Sequence, residues 1–153
     1  MNRSDLIDAL QDNNVTAFLH AIRLGEGTSD ADGYRRIVGG QLFDSFAHHP
    51  RIRVWIPRYS VFSTAAGAYQ LIFPTWSALV KQYEFEDFSP ANQDQAAVAL
   101  IAEKHALQTV MNGDVLAAAH LCRDVWASLP DAQAGQRMVT SDAFLAEYQK
   151  WNV

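Results

Sequence analysis

One cysteine, Cys122, stands among 153 residues, so an intramolecular disulfide and a cysteine-rich metal site are both excluded. Its apolar neighbours predict burial. Basic residues are also scarce, with 12 Lys and Arg against 17 Asp and Glu and a net charge of -5. Nucleic acid is therefore not expected as a main partner, because that binding draws most of its affinity from neutralised phosphates. No run of about 18 apolar residues occurs, so stable membrane insertion is not expected. Met1 to Asp12 carries Asp5, Asp8 and Asp12 and has no apolar core behind a basic start. This predicts synthesis in the cytoplasm without a signal peptide.

Several chemistries lack their motifs as well. The five histidines, His20, His48, His49, His105 and His120, show no His-Glu-x-x-His or comparable spacing, so neither a metal nor another cofactor is expected. Adjacent His48 and His49 point apart on extended backbone. There is no Gly-x-Ser-x-Gly elbow and no phosphate-cradling loop ending in Lys-Ser/Thr, which argues against an α/β-hydrolase and an NTPase.

What is present is a globular composition, 49% hydrophobic and 19% charged, over a length that suits one domain spanning residues 1–153. A monomer is expected. The acidic average hides a local bias: between Gly33 and Ser60 stand Arg35, Arg36, Arg51, Arg53 and Arg58 against one carboxylate, Asp44. Such a segment is either a solvated face or an attractor for an anionic polymer.

Apolar spacing predicts a helix from Val15 to Glu26, capped by Asn14 and ended by the glycines that bracket Glu26. From Tyr34 to about Ser63 the pattern turns irregular, and the alternation from Arg51 to Ile56 reads as a strand, with Pro57 ending or edging the second strand of a small β region. Helices return from Pro74 to about Tyr83 and after Ser89, an N-cap followed by Pro90 at the first helical position. That second helix, with Ala96, Ala97, Leu100 and Ile101, reads as the central buried one. Asp114 to Ser128 and Ser141 to Trp151 complete a fold that is α+β and mostly α, with a small β region between helical parts.

One glutamate stands out, followed by small, aromatic and amide residues: Gly25-Glu26-Gly27-Thr28, Gly33-Tyr34 and Ser63 through Tyr69-Gln70. Glycosidic cleavage needs a carboxylic acid that stays protonated near neutral pH, which burial against apolar groups achieves. A helix C-terminus adds to this, and flanking glycines would let a bulky sugar approach Glu26. Trp55, Trp76, Trp126 and Trp151 are candidates to stack on sugar faces, although tryptophans inside helices, as at Trp76 and Trp126, more often fill the core.

These residues, with Ile37 through Phe43, His49-Pro50-Arg51, Phe88-Ser89-Pro90, Gln93-Asp94 and Trp126 through Pro130, resemble the lambda phage endolysin family in order and approximate spacing from residue 15 to about 150. The resemblance implies a lysozyme-like fold and peptidoglycan glycan strands as substrate. It implies lytic transglycosylation at the bond between N-acetylmuramic acid and N-acetylglucosamine, with Glu26 as the catalytic glutamate and Tyr69 and Gln70 on the cleft floor. The expected substrate-binding set is Tyr34, Ser63, Tyr69, Gln70, Trp76 and Gln136. An enzyme of this kind lacking an export signal would need a pore-forming partner to reach the wall from the cytoplasm and act in the periplasm. Two segments depart from the family's prototype: the loop from Thr28 to Gly33 is shorter, and the stretch after Pro130 is poorer in glycine.

In this mechanism Glu26 serves as acid and then base, and the muramyl C6 hydroxyl is the nucleophile, so no second carboxylate is required. A hydrolytic lysozyme is the alternative, with Glu26 as acid and Asp30 or Asp32 positioning water. A cell-wall-binding module without catalysis would keep the aromatics but need no acid.

Overall fold

In the computed structural model, which describes residues 1–130, 132 and 138–153, the helices are α1 (Arg3–Ala9), α2 (Asn13–Glu26), α3 (Phe73–Tyr83), α4 (Pro90–Glu103), α5 (Leu107–Met111), α6 (Val115–Leu121) and α7 (Ser141–Trp151). Strands β1 (Val54–Ile56) and β2 (Val61–Ser63) form an antiparallel hairpin between α2 and α3, pairing Trp55 with Phe62. The mostly helical architecture with a small β insertion is thus the one the sequence predicts. No described helix is long and apolar enough to cross a membrane.

Helix α2 exists because its apolar residues recur at helical spacing, and it buries Val15, Phe18, Leu19 and Ile22. That face packs on α7, where Phe18 and Phe144 meet edge to face at 5.6 Å between ring centroids. The cap is Asp12 rather than Asn14: the Asp12 carboxylate accepts from the Asn14 and Val15 backbone N–H groups. Asn14 is instead engaged laterally, donating to the Met111 carbonyl and accepting from the Tyr148 hydroxyl.

Helix α4 starts as its signals dictate, with Ser89 as N-cap and Pro90 in the first turn. Asn92, Gln93 and every residue from Gln95 to Ile101 are buried, so the helix is enclosed on all sides, as a central helix must be. Of the polar side chains in that interior, Gln93 is fully used. The amide oxygen accepts from Ala68 N–H, and the amide nitrogen donates to the Tyr34 and Phe88 carbonyls.

Elements that short-range patterning does not reveal are tied by distant contacts. Helix α1 has an Asn2/Asp5 capping box, buries Leu6 and Ala9, and is clamped by the Arg3 fork on Glu86 at 2.6 and 3.0 Å. Helix α5 was not expected from the sequence pattern. Helix α6 stops at Leu121 instead of continuing to Ser128; the chain then turns so that the buried Trp126 indole donates to the Tyr69 carbonyl at 3.0 Å. Cys122 is fully buried at this turn, which pushes its thiol up to about 12.

The first strand begins at Val54, not at Arg51, because Arg51 has a left-handed backbone with φ 53 that an extended strand cannot contain. Pro57 follows β1, the first strand of the pair, within the connecting turn. Isolated bridges from Ile37 to Ala66 and from Ala66 to Leu71 join the base of this β region to the body.

Candidate active site

Glu26 is the last residue of α2, where Gly27 takes over in a left-handed conformation with φ 73 and returns its N–H to the Arg23 and Leu24 carbonyls. The chain beyond is fixed at once. Buried Thr28 donates its hydroxyl to the Ala68 carbonyl at 2.5 Å, and the buried Arg23 guanidinium donates to the Thr28 carbonyl. A side chain at Gly33 would collide with that same carbonyl, so the short loop closes only on glycine. The helix end that carries Glu26 is therefore held from both sides.

The carboxyl of Glu26 opens on a cleft of about 540 Å³. One wall carries Ile37 to Gly40 and the hairpin residues Ile56, Tyr59, Val61 and Ser63; Val125 and Ala127 lie on the other. Burial pushes Glu26 up to about 7, opposed by one hydrogen bond, donated by the Ser128 hydroxyl to Oε2 at 3.2 Å. Near neutral pH this carboxyl is poised to give and take a proton. Among the described residues no other carboxylate lines the cleft.

The flanking glycines do different work from that expected. A Cβ on Gly25 would sit 2.6 Å from Ser128 Oγ, so that glycine makes room for Ser128, not for a sugar. Gly27, with nothing within 4 Å of an added Cβ, does leave open space beside the carboxyl.

Gln70 forms part of the same cleft. Its backbone is left-handed, φ 49, and its amide nitrogen donates to the Arg36 and Gly67 carbonyls at 3.0 and 2.8 Å. Locked this way, it keeps its amide oxygen as an acceptor with no partner among the described residues. Ser63, half-buried on β2, also borders the cleft and accepts from Ala65 N–H. Arg36 borders it too, donating to the Gly40 carbonyl at 2.8 Å and to Asp30 at 2.6 Å.

Other expected site residues lie elsewhere. Tyr69 is 2% exposed, and its hydroxyl donates to Asp94 at 2.6 Å; the Tyr34 hydroxyl donates to the same oxygen at 2.8 Å. Arg23 stacks 4.6 Å from the Tyr34 ring centroid. Both tyrosines thus support the cleft floor from behind instead of presenting hydroxyls to it, because a half-buried carboxylate claims them. That carboxylate, Asp94, is itself pushed up by burial, against the two hydroxyls and the Arg23 charge. Trp76 is stacked on Phe85 at 5.3 Å in the core, away from Glu26. Gln136 lies outside the described residues.

Asp30 and Asp32 are exposed and neither lines the cleft; the Asp30 carboxylate is occupied by Arg36. Sequence reasoning did not single out Arg23, Arg36, Asp94 or Ser128 as site residues, although the last two sit inside the segments that carry the family resemblance. Among the described residues no group of three or more His, Cys, Asp or Glu side chains is arranged to hold a metal ion.

Comparisons with known proteins identify the family and the fold. The family model described as Endolysin matches residues 16–152. The chain is 39% identical over 145 residues to the endolysin of Escherichia phage lambda, covering 90% of each. It is 37% identical over 138 residues to the endolysin of Escherichia phage P2, covering 81% of this chain and 84% of that one. A solved structure of bacteriophage lambda lysozyme complexed with a chitohexasaccharide superposes with a TM-score of 0.83 at 37% identity, over 90% of this chain and 93% of that one.

Proposed function

Because the chain belongs to the endolysin family, we propose that it is a peptidoglycan lytic transglycosylase whose acid and base are both Glu26. The observation that carries this reading is a single carboxyl, raised to about 7 by burial, on an open cleft lined by no second carboxylate among the described residues. Most glycosidases that use water or an enzyme nucleophile need two carboxyl groups. A substrate that supplies its own nucleophile needs one.

In the proposed reaction the Glu26 proton passes to the glycosidic oxygen between N-acetylmuramic acid and N-acetylglucosamine, and the bond from that oxygen to muramyl C1 breaks. The muramyl C6 hydroxyl then bonds to C1 and returns its proton to Glu26. The products are a 1,6-anhydromuramyl end and a free N-acetylglucosamine hydroxyl, and no water is consumed. Being held on the reacting sugar, the C6 hydroxyl has an effective concentration on the order of 10⁵ M or more, which unpositioned water does not match. The Ser128 hydroxyl stabilises the carboxylate present between the two proton transfers, and Gln70 offers its amide oxygen to a sugar N–H or hydroxyl. That lambda lysozyme forms a complex with a chitohexasaccharide supports a glycan strand as occupant of the cleft.

The test is the product. Digestion of purified peptidoglycan should release muropeptides one water lighter than hydrolysis products, resistant to borohydride reduction and free of oxygen from labelled water. Reducing, labelled ends would overturn transglycosylation in favour of hydrolysis. No released fragment would leave only a binding role.

A further inference from the structure

The catalytic cleft does not end at strand β2. On the far side of Val61 and Ser63, which line both, lies a second groove of about 510 Å³ bordered by Arg51, Arg53, Phe62 and Phe73. We infer that this groove binds the peptide stem carried by the muramyl lactyl group, with Arg51 and Arg53 receiving its carboxylates. The inference rests on the glycan-cleaving reading above and extends the same site sideways across β2.

Three observations point to an acidic ligand. Arg51 and Arg53 are exposed, and among the described residues neither belongs to an ion pair. Each guanidinium lies over an aromatic ring, Arg51 at 4.0 Å from Phe73 and Arg53 at 4.3 Å from Phe62. Stacking uses the face of the guanidinium and leaves its edge donors for a carboxylate. The groove residues include no Asp or Glu.

Arg51 is also held in place at its root. His49 donates from Nε2 to the Leu71 carbonyl at 2.7 Å, and its Nδ1 accepts from Arg51 N–H at 3.1 Å. This bond fixes the left-handed backbone at Arg51 and aims its side chain across Phe73. Beyond Arg51 a further hollow reaches Glu86, whose charge Arg3 already pairs, and Asp87, whose charge disfavours an acidic peptide on that side. Continuity settles the direction: a substituent on a glycan bound beside Ser63 has only the width of β2 to cross.

The test compares glycan strands bearing stems with the same strands stripped of peptides by an amidase, at about 0.1 M salt, where the Debye length is about 10 Å. Arg51→Gln/Arg53→Gln should raise KM about tenfold on stem-bearing strands, as expected for two exposed charge contacts, leave kcat unchanged, and leave stripped strands unaffected. Arg51→Lys/Arg53→Lys should recover part of the loss. Equal effects on both substrates, or none on either, would overturn the inference. Cosedimentation of the Glu26→Gln protein, with and without the arginine changes, on intact and stripped sacculi makes the same comparison without chemistry. It therefore decides the groove even if the wild type cleaves neither substrate, an outcome that would count against the proposed function alone. Vesicles of phosphatidylglycerol form the last arm: arginine-dependent vesicle binding without a stem effect would assign the patch to lipid and overturn the peptide.

Discussion

The two walls of the cleft are built on opposite plans. The wall bearing Glu26 is the end of a fourteen-residue helix with a buried face, closed behind by Arg23, Thr28, Asp94 and two tyrosines. The facing wall is a hairpin of two three-residue strands whose Trp55 and Phe62 stay 48% and 53% exposed, packed against each other at 5.0 Å with Arg53 over the Phe62 ring. The difference separates two duties. Tuning a proton donor requires fixed, dry surroundings, which a packed helix terminus supplies. Admitting a long polymer requires a wall anchored at its base, where Ile37, Ala66 and Leu71 bridge, and open at its rim.

The sharpest way to test this division is to remove the carboxyl itself. Glu26→Gln should lower wall lysis by about 10³-fold or more, since proton transfer by a placed group contributes on the order of 10²–10⁴. The same change should stabilise the fold at alkaline pH. A carboxyl at 4.5 when unfolded and about 7 when folded keeps its proton longer in the native state. Its contribution to stability falls as pH rises through that window, reaching a cost of roughly 3 kcal/mol above it. Denaturant melts of both proteins should therefore coincide below about pH 4 and separate by pH 8. Curves that stay parallel across the range would mean that Glu26 is not held in an apolar setting.

Truncation contrasts the walls directly. Phe18→Ala, which empties a fully buried site against Phe144, should cost about 3–5 kcal/mol of stability. Phe62→Ala should cost under about 1 kcal/mol, because its ring is largely in water already. Comparable losses in urea titrations would show the hairpin to be part of the load carried by the core.

Smaller changes probe the backing of the helix end. Tyr34→Phe and Tyr69→Phe each withdraw one of two hydroxyls from Asp94 and should cost about 1–2 kcal/mol in melting experiments, with KM unaltered. A raised KM at unchanged stability would put these hydroxyls on the sugar. Smallest in effect, Ser128→Ala removes the bond that lowers Glu26, so the alkaline limb of the kcat profile should move to higher pH. A limb that stays in place would mean that Ser128 does not act on the acid.

How far the sequence anticipated this arrangement depended on the range of the forces involved. Helices α3, α4 and α7 and the terminus at Glu26 have local signals: Pro74, Ser89-Pro90, Thr140-Ser141 and Gly27. Helix α1 owes its place to Arg3 reaching Glu86 across 83 residues, and α6 ends early because Trp126 must reach Tyr69. Pattern alone does not report such debts. The site divides in the same way. Glu26, Ser63 and Gln70 converge on the cleft, but which way Tyr34 and Tyr69 turn is decided by Asp94, far off in the chain, and Trp76 is drawn into the core by stacking on Phe85. Ser128 bonds Glu26 from 102 residues away.

The sealed thiol of Cys122, held protonated far above neutral pH, has a practical consequence. Labelling reagents attack the exposed thiolate, so the native chain is nearly silent towards them under folded conditions. A cysteine introduced at Tyr59 on the hairpin and another at Ala117 on α6, both exposed, would take up a dye pair without background. The molecule comes ready for a spectroscopic ruler between the hairpin and the helical body.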